Sequence, residues 1–425
     1  MKKFIGLMVI GLTALMVLSG CGDQKEQETS SGTKETLTVM ASGVKNGTQG
    51  VFLEQFKQMV EKEYPELTVE TTLLPDDQYL TALKSKLSTG QAPDLFLVQP
   101  KKASANSVEE LAKAGYLEDL SDLENWDKIK DQGKNDMSFE GKPYALSSSI
   151  SVLGTWYNKD LFKQHKIDLP TNWQAFLAAC ETLKQAGVTP IVMGDKDSFM
   201  IQFGMYQVAA NQVYPSNPQF DDQLYTGETK LTDDVWVKTV TMYNELYKKG
   251  YVTDKSLGLG QPQAQQSFVD QEAAMIFDGD FSLTAIENDN FDLGFMAMPA
   301  NEEGETYLSA ATGAGYAISK KSQHKETLKA VFNKMTDGQS EMFTNWLATA
   351  TSFTTYAEGD DLNPVFEEIV PAFEAGRSFY WSNQAWPSGT ETEMQAKFSE
   401  MIGAGKLKPI DVTEAMQKKF EELTK

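Results

Sequence analysis

The stretch DLFLV at 94–98 constrains this chain most, because its four consecutive apolar residues do not alternate with polar ones. Such a run is expected of a strand covered on both faces, as in a parallel sheet with helices on either side. The chain around it agrees. LTVMAS at 37–42 reads as a strand, and Phe52, Phe56, Met59 and Val60 follow at helical spacing until Tyr64 and Pro65. LTVETTL then alternates with Leu67, Val69 and Leu73 inward, and Leu80, Leu83 and Leu87 mark a second helix stopped by Gly90. Strand, helix, strand, helix, strand builds an open doubly wound α/β sheet. Ligands of such sheets lie beyond the carboxyl ends of the strands. That points to the loops at 41–49, 75–78 and 99–102, which carry Asn46 and Gln99.

The alternation starts again beyond Tyr144. Ser107 with Glu110 has the spacing of a capping box, and Thr171 and Thr232 are expected to cap two later helices. The first of these has a stripe of Trp173, Phe176, Leu177, Cys180 and Leu183 ending at Gly187, so Cys180 reads as core. PIVM at 190–193 is the next strand, and Val235, Val240, Tyr243 and Leu246 line a helix that ends at Gly250. AAMIF at 273–277 runs as a strand straight into DGDFSLTAIE, and FDLGFMAM and the glycine-rich SAATGAGYAIS follow. No internal repeat and no heptad run is visible.

Length and charge bound the architecture. About 390 residues beyond position 35 exceed one ordinary core, so two lobes are expected. The formal net charge of −22 disfavours nucleic acid as a partner. The chain has two cysteines, two histidines (His165 and His324) and one arginine, Arg377. A histidine-based zinc site is therefore not expected, nor is a site built from bidentate arginine clamps. No phosphate loop, zinc-protease helix, nucleophile elbow or calcium loop is present, so no cofactor or metal is expected.

At the amino end, Lys2 and Lys3 precede a charge-free apolar run at 4–18, the layout of an export signal and too short for a membrane span. Leu18, Ser19 and Gly20 before Cys21 match the processing pattern of bacterial lipoproteins. Residues 1–20 are thus expected to be removed and Cys21 to carry the lipid anchor, with 21–35 a polar leash.

Three constellations remain once periodic core residues are set aside. FDGDF places Asp278, Asp280 and Phe281 at a strand's carboxyl end; MGDKDSF places Asp195 and Phe199 after PIVM; SFYWSNQAWPSG gathers Tyr380, Trp381 and Trp386 without helical or strand period. Flat aromatic rings match the C–H face of a sugar, and carboxylates and amides bond its hydroxyls. Each feature has a plainer reading: the aspartates as helix caps, the tryptophans as seals at a lobe edge. Paired carboxylates beside aromatics also describe a glycoside hydrolase.

Across nearly the whole chain the sequence resembles the family 1 extracellular solute-binding proteins, the sugar receptors of ABC importers in Gram-positive bacteria. FLEQFKQMVEKEYPELTVE, GQAPDLFLV, LAKAGYLEDLSDL, GKPYALSSS, WYNKDLF with PTNWQAFLAACETLKQAGVTPI, FVDQEAAMIFDGDFSL and GAGYAISKKSQHKETLKAVFNKM carry the likeness in order. The family's Gly-x-Trp motif stands here as Gly279-Asp280-Phe281. The resemblance implies a two-lobed fold with a ligand cleft between the lobes, the first lobe at 36–147 plus 308–347 and the second at 148–307 plus 348–425. It also implies a non-enzymatic, monomeric receptor on the extracellular face of the membrane, passing an oligosaccharide, with a lean to gluco-oligosaccharides, to a permease. Phe281, Trp381 and Trp386 would be platforms and Asp195, Asp278, Asp280 and Gln99 would orient hydroxyls, with Phe199, Tyr380, Asn46, Gly313 and Arg377 nearby. A receptor of the same fold for a non-sugar solute is the remaining alternative.

Overall fold

The computed structural model describes residues 34–102, 104–302, 304–356 and 362–425. Cys21, the export signal and most of the leash lie outside them. The fold is two-lobed and α/β. The first lobe is built on a four-stranded sheet in the order Gly315–Ile318, Leu95–Val98, Glu35–Ser42, Leu67–Leu74. The last three strands run parallel, and Gly315–Ile318 is antiparallel to Leu95–Val98. Leu95 to Val98 are all buried, as an uninterrupted apolar run requires.

The second lobe is organised by one long strand, Ser149–Asn158, with all residues from Ile150 on buried. It pairs antiparallel with Ala273–Gly279, Leu293–Met296, Leu308–Thr312 and Phe353–Thr354. Thr189–Val192 and Ser378–Phe379 complete a seven-stranded sheet. Each lobe has its own apolar core: one from Leu37 to Leu146 with Tyr316 to Trp346 and Tyr356, the other from Ile150 to Ala310 with Phe353 and residues 366–420. Residues 34–425 therefore hold both complete cores.

Several local expectations need correction. The glycine-rich SAATGAGYAIS forms two strands in two different sheets. Leu308–Thr312 pairs with Ser149–Asn158 in the second sheet, so the boundary expected at 308 falls at Gly313 and Ala314 instead. A Cβ on Gly313 would stand 2.3 Å from Ser149 Oγ and 2.8 Å from Ser151 Oγ, so any other residue there would push those hydroxyls aside. Tyr356, expected with the second lobe, packs in the first core and accepts a bond from Trp346 Nε1 at 3.1 Å.

The caps also shift. Asn172, not Thr171, caps helix Trp173–Gln185, its Oδ1 accepting from Ala175 N at 2.9 Å. Helix Asp234–Lys248 starts after Asp233 rather than Thr232, and Ser107 makes no side-chain cap on Val108–Lys113. At Asn172 an amide one position along reaches the free N–H groups, whereas Asp233 makes no side-chain cap and instead accepts from Lys230 N at 2.9 Å, so sequence locates a helix start only to within a residue. Cys180 is buried in the second core, as expected, and burial pushes its thiol well above the ordinary range.

Candidate functional site

The strand Ala273–Gly279 delivers the chain to a turn at 280–282, and the geometry there explains the DGDF sequence. Trp156 Nε1, from the neighbouring strand, donates to Gly279 O at 3.0 Å and pins the turn. A Cβ on Gly279 would meet the Phe281 ring at 2.0 Å, so glycine lets that ring fold back over the strand end. Phe281 is half-buried. Its ring meets Phe203 edge-on at 5.9 Å between centroids and Trp381 at 6.5 Å, and Phe203 meets Phe199 at 5.7 Å. Phe199, the buried Phe203, Phe281 and Trp381 thus form a chain of ring contacts, with Phe199, Phe281 and Trp381 half-exposed and drawn from a helix start, a strand end and an irregular loop. Trp381 is held by its own Nε1, which donates to Ser309 O at 3.3 Å.

Residues beside this row face the first lobe. Thr284, three positions after Phe281, shares a gap with Thr48, Val51 and Gln55 at the start of helix Thr48–Glu63 and with Thr349. Tyr380, next to Trp381, lies under Lys101 Nζ at 4.9 Å from the ring centre. The row thus takes Phe199, Phe281 and Trp381 each from the segment after a strand of the second sheet, the last two close in sequence to residues that face the first lobe. Amides accompany it: Gln395 Nε2 donates to Gln202 Oε1 at 3.0 Å, and Ser198 Oγ donates to Gln395 Oε1 at 3.0 Å.

The expected carboxylates stand elsewhere. Asp278 is fully buried and accepts from Gln265 Nε2 at 2.9 Å, Gln261 Nε2 at 3.1 Å, Gly279 N at 2.8 Å and Ser282 Oγ at 2.9 Å. Asp280, also fully buried, accepts from Ser352 Oγ, with the backbone amides of Val152 and Phe281 as nearby donors, while its Oδ1 has no hydrogen-bond partner among the described residues. Burial, opposed by those donors, raises its pKa to about 7. Asp195 is buried beneath Tyr247, whose hydroxyl donates at 3.0 Å, and burial raises it to about 6. These three aspartates brace the site's walls instead of fronting the cleft. Asp278 has both oxygens taken up by protein donors, whereas Asp195 Oδ1 and Asp280 Oδ1 are buried without a hydrogen-bond partner among the described residues.

Trp386 is corrected in the same way. It is fully buried, with Nε1 donating to Asp221 Oδ1 at 3.1 Å and its ring against Trp236 at 5.3 Å. Gly313 is buried at the lobe crossing, and Asn46 is exposed on its turn. Gln99 is half-buried, its backbone bonded into the 99–108 loop. Arg377 is half-buried, and its carbonyl accepts from Leu308 N at 2.9 Å.

Sequence reading missed Gln202 and Gln395, whose helices bury apolar and polar residues alike, and Asp221, the acid that holds Trp386. Gln202 falls three positions after Phe199, the helical spacing that puts both on one face, and that was the available signal. Among the described residues, no group of three or more histidine, cysteine, aspartate or glutamate side chains is placed to hold a metal, and no helix is long and apolar enough to cross a membrane.

Comparison with known proteins agrees with the fold. The chain is 23% identical over 403 residues to a multiple sugar-binding protein of Streptococcus mutans, covering 91% of this chain and 90% of that one. It is 24% identical over 331 residues to the maltodextrin-binding protein MdxE of Bacillus subtilis, covering 77% and 74%. Among solved structures, a chitin oligosaccharide binding protein superposes with a TM-score of 0.79 at 24% identity, covering 92% of this chain and all of that one. RafE in complex with raffinose superposes with a TM-score of 0.75 at 20% identity, over the same shares. The family model for the bacterial extracellular solute-binding proteins matches residues 42–342, and the chain belongs to that family.

Proposed function

We propose that the protein is a lipid-anchored, non-enzymatic receptor that captures a neutral oligosaccharide between its lobes and delivers it to the permease of an ABC importer. The row Phe199, Phe281 and Trp381 carries the reading. A pyranose has an apolar C–H face and a rim of hydroxyls, and half-exposed rings offer area to that face at low entropy cost. The relatives named for multiple sugars and maltodextrin support the ligand class. Neutral sugar is favoured over uronates because the chain has a single arginine, Arg377, and it is half-buried. A gluco-oligosaccharide is the first to try.

Ligand would draw the lobes together, because only the closed form makes contacts from both. Micromolar affinity, about 8 kcal/mol, suits capture followed by release. Cys21 would carry the lipid, and the leash would keep the receptor near its permease at high effective concentration. The hydrolase alternative loses its support in the geometry: Asp278 and Asp280 are buried and bonded to protein donors, whereas hydrolysis needs two carboxyl groups flanking the scissile bond.

The test is thermal unfolding of residues 34–425 against oligosaccharides that differ in linkage and length. A ligand at a hundred times its dissociation constant stabilises by about 2.7 kcal/mol. A shift with one linkage class and no new reducing ends is expected. No shift with any sugar would move the reading to another solute on the same fold, and released reducing ends would make the protein an enzyme.

A further inference from the structure

Two consecutive lysines of the first lobe reach across to two tyrosines of the second. Lys101 holds left-handed backbone, φ 47°, which is uncommon for a residue with a Cβ and persists only where its surroundings impose it. Asp136 imposes it here. Its carbonyl accepts from Lys101 N at 2.9 Å and its Oδ1 pairs with Lys101 Nζ at 3.1 Å. The same carboxylate accepts from Thr312 Oγ1 at 2.6 Å, where the chain crosses between lobes. Held this way, Lys101 Nζ sits 4.9 Å from the centre of the Tyr380 ring.

Lys102 follows with a parallel contact. Its Nζ lies 4.5 Å from the centre of the Tyr225 ring and 3.4 Å from the Tyr225 hydroxyl, and its backbone N donates to Gln384 O at 3.4 Å. Both rings are seated by their own lobe. Tyr225 donates to Ala385 O at 2.7 Å and packs on Phe420 at 5.0 Å, and Tyr380 packs on Tyr214 at 5.5 Å.

We propose that Lys101 and Lys102 are positioning residues that clasp Tyr380 and Tyr225 of the second lobe and hold the lobes together before any ligand arrives. An ammonium over an aromatic face is attracted by the ring's quadrupole, and here both partners are fixed in advance by bonds within their own lobes. A receptor that populates its closed form without ligand binds more tightly, because apparent affinity scales with the fraction already competent. Two such pairs at partly exposed positions correspond to about a tenfold change in that fraction.

Small-angle X-ray scattering of unliganded residues 34–425 tests the clasp. K101M/K102M keeps the aliphatic stems and removes the charges, while K101R/K102R keeps both. The methionine variant is expected to show a larger radius of gyration and the arginine variant the wild-type value, with both still folded, the methionine variant at a lower thermal midpoint because Asp136 loses its cation. A methionine variant of wild-type size, or an arginine variant as expanded as the methionine one, overturns the proposal. Should the methionine variant not fold, Tyr225→Leu provides the same comparison by removing one ring. A second arm rests on the sugar-receptor reading: with an oligosaccharide that binds wild type, K101M/K102M should bind about tenfold more weakly. If no sugar binds wild type, that reading fails while the scattering result still decides the clasp.

Discussion

The first lobe and the second lobe bring different chemistry to the cleft. The first offers mainly polar residues, Thr48, Gln55, Lys101 and Lys102, with Val51 among them, from a helix start and a strand-end loop. The second offers the rings Phe199, Phe281 and Trp381. Their construction differs to match. The first sheet grows by consecutive strand and helix units, so its cleft side is made of loops at neighbouring strand ends. The second is threaded through Ser149–Asn158, whose partners come from four distant stretches, and two of those partners carry Thr189–Val192 and Ser378–Phe379 at the sheet's edges, so that rings from positions 199, 281 and 381 meet in one row. On the proposed reading the rings would be the platform for a ligand that has an apolar face and a hydroxyl rim.

The comparison breaks most readily in the second lobe's support. Trp386→Ala should cost about 3–5 kcal/mol, since it removes a fully buried indole and leaves Asp221 without that donor; chemical denaturation of residues 34–425 measures it. The same change at Trp381, five positions away and half-exposed, should cost much less. Near-equal losses would mean that the row is core rather than platform.

The buried acids give a pH signature of similar size. Asp280, at about 7, binds its proton more tightly folded than unfolded, so its contribution is present below the unfolded value near 3.8 and is lost as pH rises through 7. Asp195 and Asp221, each at about 6, act in the same direction. Stability should therefore fall between about pH 4 and 7, by up to about 1.4 kcal/mol per pH unit for each group within its window. Asp280→Asn should flatten the upper part of that fall, and an unchanged profile would mean that Asp280 stays ionised in the folded protein.

At the crossing between lobes, Gly313→Ala should destabilise by about 1–3 kcal/mol by forcing a Cβ against Ser149 and Ser151. Thermal unfolding reads it, and a neutral result would place slack in the strand that joins the two cores. Smallest in energy is Phe281→Ala, expected to weaken sugar affinity by at least tenfold, about 1.4 kcal/mol, in a folded protein. Unchanged affinity by calorimetry would remove Phe281 from the site and leave Trp381 as the principal platform.

Much of the fold is legible because burial pattern is a local property. DLFLV, AAMIF and the stripes through Phe52 and Trp173 declare their elements through spacing alone. Their order was enough for the family resemblance and the two lobes. What spacing does not encode is which polar group will be enclosed. FDGDF and SFYWSNQAW look like ligand-facing segments because their acids and indoles are not explained by a local stripe. Their fates are set by Gln261, Gln265, Ser352 and Asp221, which lie 13 or more residues away in sequence.

The sequence by itself determined the α/β class, the pairing of two cores and the residue types of the site, because each follows from periodicity, length and side-chain chemistry. Only the tertiary structure decided that Phe199, Phe281 and Trp381 share a row while Asp195, Asp278, Asp280 and Trp386 sit behind it. The physical reason is desolvation. A carboxylate or indole N–H faces ligand or protein according to whether donors and acceptors from remote segments arrive to satisfy it, and those arrivals are fixed by packing.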